Sequence, residues 1–409
     1  MPTSQTFVIV GASLAGAKAA EELRRAGFGG RIVLIGEEAV RPYERPPLSK
    51  AYLQGAAGFD KAAVHDESWY TDHDVDLLVS TAVISIDTGT ATVALSTGES
   101  VRYDRLLIAT GCSPRKLSVP GSDLPGVHYL RTIEDSDAIR QAIAANGHIV
   151  IIGAGWIGTE VAASARLAGA EVDLVDMASS PLEASLGPEI AAVYRDIHLE
   201  HSVRMHMNTT VEAIRGAGVV EEVVLAGGNT VPAAAVVIGV GAAPRAELAL
   251  AAGIEVEDGI ATDQFMETSV PGVYAAGDVA CTYYPFYGTR IRLEHWDAAI
   301  NQGKAAARSM LGEQEPYDRI PYLYSDQYDV GMEYTGYART WDRVVVRGDA
   351  SSREFIAFWI KDGRVAAGMN VNIWDVADRI ESLVRSRQPV KESRLADPSE
   401  DLTSLVPET

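Results

Sequence analysis

Apolar positions in this chain come in short runs separated by glycine breaks, and one arrangement of them occurs twice. Residues 6–38, TFVIVGASLAGAKAAEELRRAGFGGRIVLIGEE, open with an apolar run, pass through a glycine-rich turn and continue as an alanine-rich stretch. A second glycine break leads to another apolar run that stops at an acid. Short apolar runs bounded by turn residues predict buried strands, and the alanine-rich stretch between them predicts a helix. Residues 148–180, HIVIIGAGWIGTEVAASARLAGAEVDLVDMASS, repeat this order. Each copy therefore predicts a strand–helix–strand unit of about 30 residues, the size of one dinucleotide-binding half. Near the C-terminus the pattern changes. RVVVRGD (343–349) and EFIAFWI (354–360) read as strands joined by turn residues, and WDVADRIESLVRSR (374–387) reads as a helix. An α+β domain fits that end of the chain.

The glycines of the repeat have chemical reasons to stand where they do. Gly11 and Gly153 allow a tight turn out of the first strand. Gly155 lets the backbone approach a pyrophosphate, and Gly16 and Gly158 let the helix pack closely on the sheet. The helix N-terminus then offers free N–H groups and a partial positive charge to phosphates. Glu37 and Asp176, about 20 residues past the last glycine, are placed to accept hydrogen bonds from ribose hydroxyls. The first copy departs from the pattern, with Ser13 where the middle glycine belongs. Two such units on one chain predict two dinucleotides, a flavin and a nicotinamide. No arginine closely follows Asp176 in DMASSP, which favours NAD over NADP, because a carboxylate repels a 2′-phosphate.

Length and composition narrow the function. A chain of 409 residues predicts two or three domains. The formal net charge of −21 argues against a nucleic-acid binder. Only Cys112 and Cys281 are present, with no CxxC spacing. That argues against a zinc ribbon, a cysteine-held iron–sulfur cluster and a dithiol redox pair. No metal site is expected. A reducing compartment fits, no apolar run is long enough to span a bilayer, and the N-terminus reads as lacking a signal peptide. A cytoplasmic protein is expected.

Four stretches carry more specific information. ETSVPGVYAAGDVA (267–280) runs from an apolar segment into Gly277 and Asp278. RLLIATG (105–111) ends at Gly111, and VVIGVGAAPR (236–245) contains Gly241. RPYERPPLSKAYLQG (41–55) combines three prolines with Arg41, Arg45 and Lys50. The prolines stiffen the loop, and a helix is expected to start at Ser49 and Lys50. One reading is a surface turn with Ser49 as an N-cap; the other is a rigid cradle that aims Arg45 and Lys50 at an anion.

With RPPLSKAYL, LRTIEDSDAI, EHWDAA and PYLYSDQYDVGMEYTGYA, these motifs make the chain resemble the FAD-dependent, NADH-using ferredoxin reductases of the glutathione-reductase fold. The likeness is to the type that serves bacterial cytochromes P450 (putidaredoxin reductase type) and aromatic-ring dioxygenases, and it fades only after about residue 388. The resemblance implies an α/β protein with two Rossmann-like dinucleotide-binding domains, for FAD and NAD, plus a C-terminal α+β domain. The FAD domain is expected at 1–112 and 246–317, the NAD domain at 113–245 and the third domain at 318–409.

The same resemblance implies residue roles. Arg45 would neutralise the FAD pyrophosphate, and Lys50 would sit beside the isoalloxazine, paired with Glu160. Asp278 would bond a ribityl hydroxyl. Ala15 and Ile157 lie in the two glycine turns. Val83 would meet the adenine through its backbone, Arg131 would contact FAD, and the backbone of Trp296 would meet the flavin pyrimidine edge. Trp296 and Trp374 are candidates to line the exit side of the flavin. The tyrosines from Tyr317 to Tyr337 are expected in cores and domain interfaces rather than on a partner surface.

The implied activity is transfer of electrons from NADH through FAD to a [2Fe–2S] ferredoxin that supplies a P450 or a dioxygenase. The ferredoxin would dock transiently on a monomer or homodimer, with no role for nucleic acid or membrane. Arg290, Arg292, Lys304, Arg308 and Arg339 are candidates to receive an acidic ferredoxin. Rival acceptors on the same scaffold are rubredoxin, a quinone or oxygen, and a redox-signalling flavoprotein is a further alternative. The missing cysteine pair counts against disulfide chemistry.

Overall fold

The computed structural model describes residues 5–145 and 147–405, which form two compact units. The first gathers the chain up to Arg45, then Gly58–Ser113 and Ala242–Arg319. The second gathers Pro46–Ala57, Pro114–Gly241 and the chain from Ile320 onward.

The first unit is built on a five-stranded parallel sheet in the order Val273–Ala275, Arg105–Ile108, Thr6–Val10, Arg31–Ile35, Val75–Leu78. Its central strands are almost wholly apolar because both faces are covered; Val8, Ile9, Val33 and Leu34 are fully buried. The helix Leu14–Arg25 packs on the helix Trp296–Met310. Their backbones come close at Gly303, where an added methyl would lie 2.3 Å from the Ala15 carbonyl oxygen. Buried Glu22 of the first helix binds Arg308 of the second at 2.6 Å, and also its own neighbour Arg25. A three-stranded antiparallel meander over residues 83–102 and a four-stranded sheet over residues 256–292 complete this unit.

The second unit contains a sheet of the same design, in the order Val127–Tyr129, Ala235–Ile238, His148–Ile152, Glu171–Val175, Arg204–His206, again all parallel. The repeat seen in the sequence is therefore a repeat of fold. Both glycine turns leave the central strand, and both end acids follow the neighbouring strand. In each sheet the fifth strand comes from a different direction along the chain, from residue 273 in the first unit and residue 127 in the second.

The C-terminal part of this unit is a five-stranded antiparallel sheet, Tyr322–Gln327, Val330–Gly336, Arg364–Val371, Glu354–Lys361, Arg343–Asp349. The strands read at 343–349 and 354–360 are present, and the helix read at 374–387 runs Ala377–Ser386. That helix packs on the sheet through Ile380, Leu383 and Val384. Trp359 is fully buried, and its indole N–H donates to the Leu186 carbonyl at 3.2 Å, which satisfies its one polar atom. Arg347 holds the chain end by donating to the carbonyls of Asp397 and Pro398 at 2.6 and 3.2 Å.

The protein thus has two Rossmann-like sheets and a C-terminal α+β region, the α/β class expected from the sequence. Among the described residues no helix is long and apolar enough to cross a membrane, and no group of three histidine, cysteine or acidic side chains is arranged to hold a metal ion.

Candidate functional site

In the first unit the strand Thr6–Val10 delivers the chain to Gly11 at φ +118°, where a methyl would lie 2.1 Å from the Ala109 carbonyl oxygen. A methyl at Gly16 would lie 2.1 Å from the Gly11 carbonyl oxygen, so helix and turn meet backbone to backbone. Ser13 is the N-cap of the helix, but its side chain makes no cap hydrogen bond. The first-turn N–H groups are thus left without a side-chain acceptor.

Gly277, at φ +78°, brings the ETSVPGVYAAGDVA stretch against this turn: a methyl there would lie 3.0 Å from Cβ of Ala15. Its N–H donates to Gln302 at 2.9 Å. The Asp278 carboxylate accepts from the Cys112 thiol at 3.4 Å. Gly111, at φ +69°, accepts from the Arg245 N–H at 2.9 Å. Glu37 follows the strand Arg31–Ile35 and takes two hydrogen bonds from the Arg245 guanidinium, one of them 2.9 Å. That cation holds the Glu37 carboxyl below its usual range. Arg45 binds Glu38 at 2.6 Å and the Tyr43 hydroxyl at 2.5 Å. Val83 opens the strand Val83–Asp87 and pairs with Leu95. Trp296 begins its helix behind His295, whose Nδ1 is buried without a hydrogen-bond partner. Burial lowers the His295 pKa to about 4.

The second unit repeats the turn. A methyl at Gly153, φ +104°, would lie 2.3 Å from the Gly239 carbonyl oxygen, and one at Gly158 would lie 1.9 Å from that of Gly153. Gly155 is the N-cap of the helix Trp156–Leu167, and no atom lies within 4 Å of where its methyl would be. That open edge is what close approach of a pyrophosphate requires. Ile157 is 43% exposed in the first turn beside it. Asp176 accepts from the N–H of Ala154 at 2.6 Å and of Ala178 at 2.7 Å, so its carboxylate is clamped against the glycine turn. Gly241, at φ +102°, lies against the Arg115 side chain. Arg131 stands at the entry to the helix Ile133–Ala144, where its N–H donates to Asp135 at 2.9 Å. The Thr132–Asp135 capping box fixes that entry, and TxxD in LRTIED is its sequence signal.

The PPLSK stretch does not start a helix at Ser49. Pro46–Ser49 form a 3-10 turn, and Ser49 ends it rather than capping anything. Ser49 is 1% exposed and its hydroxyl donates to Glu160 at 2.5 Å. Two distant hydroxyls hold the turn: Ser136 donates to the Leu48 carbonyl at 2.8 Å and Ser164 to the Ser49 carbonyl at 2.7 Å. The surface-turn reading fails for this reason. Lys50 follows, with Nζ 2.7 Å from Oε2 of Glu160, which is 5% exposed. The Lys50 ammonium also lies 5.6 Å from the centre of the Tyr324 ring. Ser325 donates to the other Glu160 oxygen at 2.7 Å. A buried carboxylate is tolerated only when its charge and lone pairs are met in this way. Ser325, Gln327 and Arg245 were not singled out from the sequence, although the motifs that contain them were.

Three of the five cations read as docking candidates are already engaged in ion pairs. Arg290 binds Glu257 at 2.6 Å, Arg292 binds Glu294 at 2.6 Å and Arg308 binds Glu22. Trp374 is 55% exposed, with its ring edge over Gly331. Tyr317 and Tyr334 are buried, in keeping with a core role.

The sequence pattern of the pyridine nucleotide-disulphide oxidoreductases matches residues 5–303, and that of the reductase C-terminal domain matches residues 322–406. The chain belongs to this family. Putidaredoxin reductase of Pseudomonas putida is 35% identical over 99% of this chain and 98% of its own. The ferredoxin–NAD(+) reductase component of the Burkholderia cepacia anthranilate 1,2-dioxygenase system is 35% identical over 99% of this chain and 100% of its own. The crystal structure of the ferredoxin reductase for the CYP199A2 system of Rhodopseudomonas palustris matches with TM-score 0.95 and 37% identity, over 98% of this chain and 100% of that one. The covalent putidaredoxin reductase–putidaredoxin complex matches with TM-score 0.94 and 35% identity, over 98% of both chains. As a member of the ferredoxin reductase type, this oxidoreductase is a flavoprotein that uses FAD and NAD(H). The residues present fit both groups: each unit offers a glycine turn, an uncapped helix start and an end acid, and the first adds the orphaned His295 nitrogen. Unlike the disulfide-reducing members suggested by the family's name, it has only two cysteines, both buried and not joined in a disulfide.

Proposed function

We propose that this chain passes electrons from NADH, through FAD, to a [2Fe–2S] ferredoxin that serves a cytochrome P450 or a ring-hydroxylating dioxygenase. The observation that supports the reading is a glycine turn, a helix start without a side-chain cap and an end acid in each of two units, on a chain whose two cysteines form no disulfide. The balance is one NADH and two oxidised ferredoxins giving NAD+, one proton and two reduced ferredoxins. FAD, when bound, accepts the hydride as an electron pair and releases electrons singly.

The protein's own residues position and screen. Gly11, Ser13, Ala15, Gly16, Gly111, Gly277 and Asp278 would hold the FAD phosphates and ribityl, with Glu37 on the ribose, Arg45 as counter-charge, Val83 on the adenine side, and Arg131 and the Trp296 backbone as further contacts. Gly153, Gly155, Ile157, Gly158 and Gly241 would hold NADH, with Asp176 on its ribose. Lys50, fixed by Glu160, would supply positive charge where the reduced flavin gains electrons. The ferredoxin docks transiently, and a cytoplasmic setting suits two cysteines that form no disulfide. The reading is tested by following NADH oxidation with cytochrome c as final acceptor, with and without [2Fe–2S] ferredoxins. Ferredoxin-dependent turnover supports it. Turnover with rubredoxin but no ferredoxin moves the assignment to the rubredoxin reductases.

A further inference from the structure

The Lys50–Glu160 pair is the inner end of a longer buried chain of hydrogen bonds in the second unit. Ser325 Oγ lies 2.7 Å from Glu160 Oε1. Gln327 Nε2 lies 3.3 Å from Ser325 Oγ and 3.0 Å from Thr159 Oγ1. Gln327 Oε1 lies 2.9 Å from His198 Nε2, and His198 Nδ1 lies 3.1 Å from the Tyr328 hydroxyl. The Tyr328 ring stacks on His201 at 3.6 Å, where the chain comes out toward solvent. Thr159, His198, Ser325 and Gln327 are all at most 1% exposed, so none of these groups can turn to water.

Protein chemistry allows this chain only one direction. A serine has a single proton, and the carboxylate oxygen 2.7 Å away must receive it, so Ser325 can only accept from Gln327. The Thr159 proton goes to the carbonyl of Gly155 or Trp156, each at 3.0 Å, so Thr159 also accepts from Gln327. Both neighbours therefore require the amide NH2 of Gln327, which leaves its oxygen facing His198. That oxygen demands a proton on His198 Nε2. His198 Nδ1 is then a lone pair that accepts from Tyr328, provided the ring is neutral. Burial keeps it so, with a pKa lowered to about 4. The opposite orientation would set two oxygens against each other beside a buried carboxylate, at the full cost of an unmet charge.

We infer that Ser325, Gln327 and His198 are positioning residues, a one-way donor chain that aims the Glu160 carboxylate and thereby sets how strongly it holds Lys50. With Ser325 and Ser49 each donating to Glu160, the carboxylate is shared among three donors and Lys50 takes only part of it. Losing a donor tightens the ion pair and draws the ammonium's charge onto Glu160. The inference rests on the proposed role of Lys50 at the reduced flavin.

The test uses the FAD-loaded protein and three measurements: the rate of flavin bleaching at saturating NADH, the flavin midpoint potential, and 15N NMR of the histidines. Ser325→Ala and His198→Leu are expected to slow bleaching about tenfold with little change in NADH affinity. They are also expected to shift reduced-to-oxidised flavin toward oxidised by about tenfold, about 30 mV for a two-electron couple. Ser325→Thr keeps the hydroxyl and His198→Gln keeps a donor at the Nε2 position, so both are expected within about twofold of the parent. Glu160→Gln separates the two ideas. If it changes the bleaching rate or the potential in either direction while Ser325→Ala and His198→Leu do not, the donor chain is overturned and the functional reading stands. If Glu160→Gln itself leaves rate and potential unchanged, the Lys50–Glu160 reading falls and takes the inference with it. The NMR needs no variant: the Nε2–H tautomer of His198 at pH 6 supports the chain, and the Nδ1–H tautomer overturns it.

Discussion

Arg245 hydrogen-bonds both carboxylate oxygens of Glu37 across 208 positions of sequence. Glu37 lies at the end of the first copy of the repeat and Arg245 at the end of the VVIGVGAAPR stretch, yet both lie in the first unit. Glu37 is the acid expected at the FAD ribose, and on that reading the arginine would fix the orientation of the carboxylate that meets the ligand.

Glu37→Gln should weaken FAD binding about tenfold, or about 1.4 kcal/mol. Arg245→Ala leaves the carboxylate in place but free to turn, and should cost about threefold. Quenching of FAD fluorescence on titration with apoprotein measures both. An unchanged affinity in Glu37→Gln would remove the acid from the site.

Asp176 is clamped by two backbone N–H groups, so its carboxylate is a fixed negative wall beside the second glycine turn. Asp176→Asn keeps one acceptor oxygen but removes the charge. KM for NADH should rise about tenfold, and kcat/KM for NADPH should fall much less or rise. Steady-state kinetics with both nucleotides decides this; a parallel loss for the two would mean that Asp176 only shapes the turn.

Glu22 supplies a pH dependence with a definite sign. Hydrogen bonds from Arg25 and the neighbouring charge of Arg308 lower its pKa from 4.5 to about 2. The folded value lies below the unfolded one, so the stabilisation is fully present above about pH 4.5 and is lost as pH falls toward 2. The shift corresponds to about 3 kcal/mol, reduced by solvent around the partly exposed arginines to about 1–2 kcal/mol. Glu22→Gln should therefore lower Tm by about 1–2 °C at pH 7, and the gap from the parent should close in acid. Thermal melts between pH 3 and 7 check it; a gap independent of pH would assign the loss to packing.

Lys304 and Arg339 are the docking candidates not already engaged in the ion pairs that hold Arg290, Arg292 and Arg308. Reversing both, Lys304→Glu with Arg339→Glu, should slow ferredoxin reduction about tenfold at low salt and flatten its salt dependence. NADH–ferricyanide activity should be retained. Equal loss of both activities would argue against docking there.

How much of this was legible in the sequence depended on distance along the chain. The glycine turns could be read because Gly11 and Gly153 answer a local demand, a positive φ against a neighbouring carbonyl. The end acids could be read because they lie one strand–helix–strand unit away. Ser49 misled because its role is set by Glu160, 111 residues on, rather than by its neighbours. The donor chain through Ser325 and Gln327 joins residues 165 and 168 positions apart to the helix that carries Thr159 and Glu160. YSDQY gives no local sign of it, because serine and glutamine in a strand are equally at home facing water. Arg245 was hidden in the same way, inside a motif whose glycine drew the attention.

The central claim is tested most directly by mixing the NADH-reduced protein rapidly with an oxidised [2Fe–2S] ferredoxin and following both chromophores. The account predicts that flavin absorbance returns as the ferredoxin bleaches, two ferredoxins per flavin, at a rate that falls with added salt. Flavin that stays reduced in the presence of several ferredoxins, yet reoxidises promptly with rubredoxin, a quinone or oxygen, would contradict it.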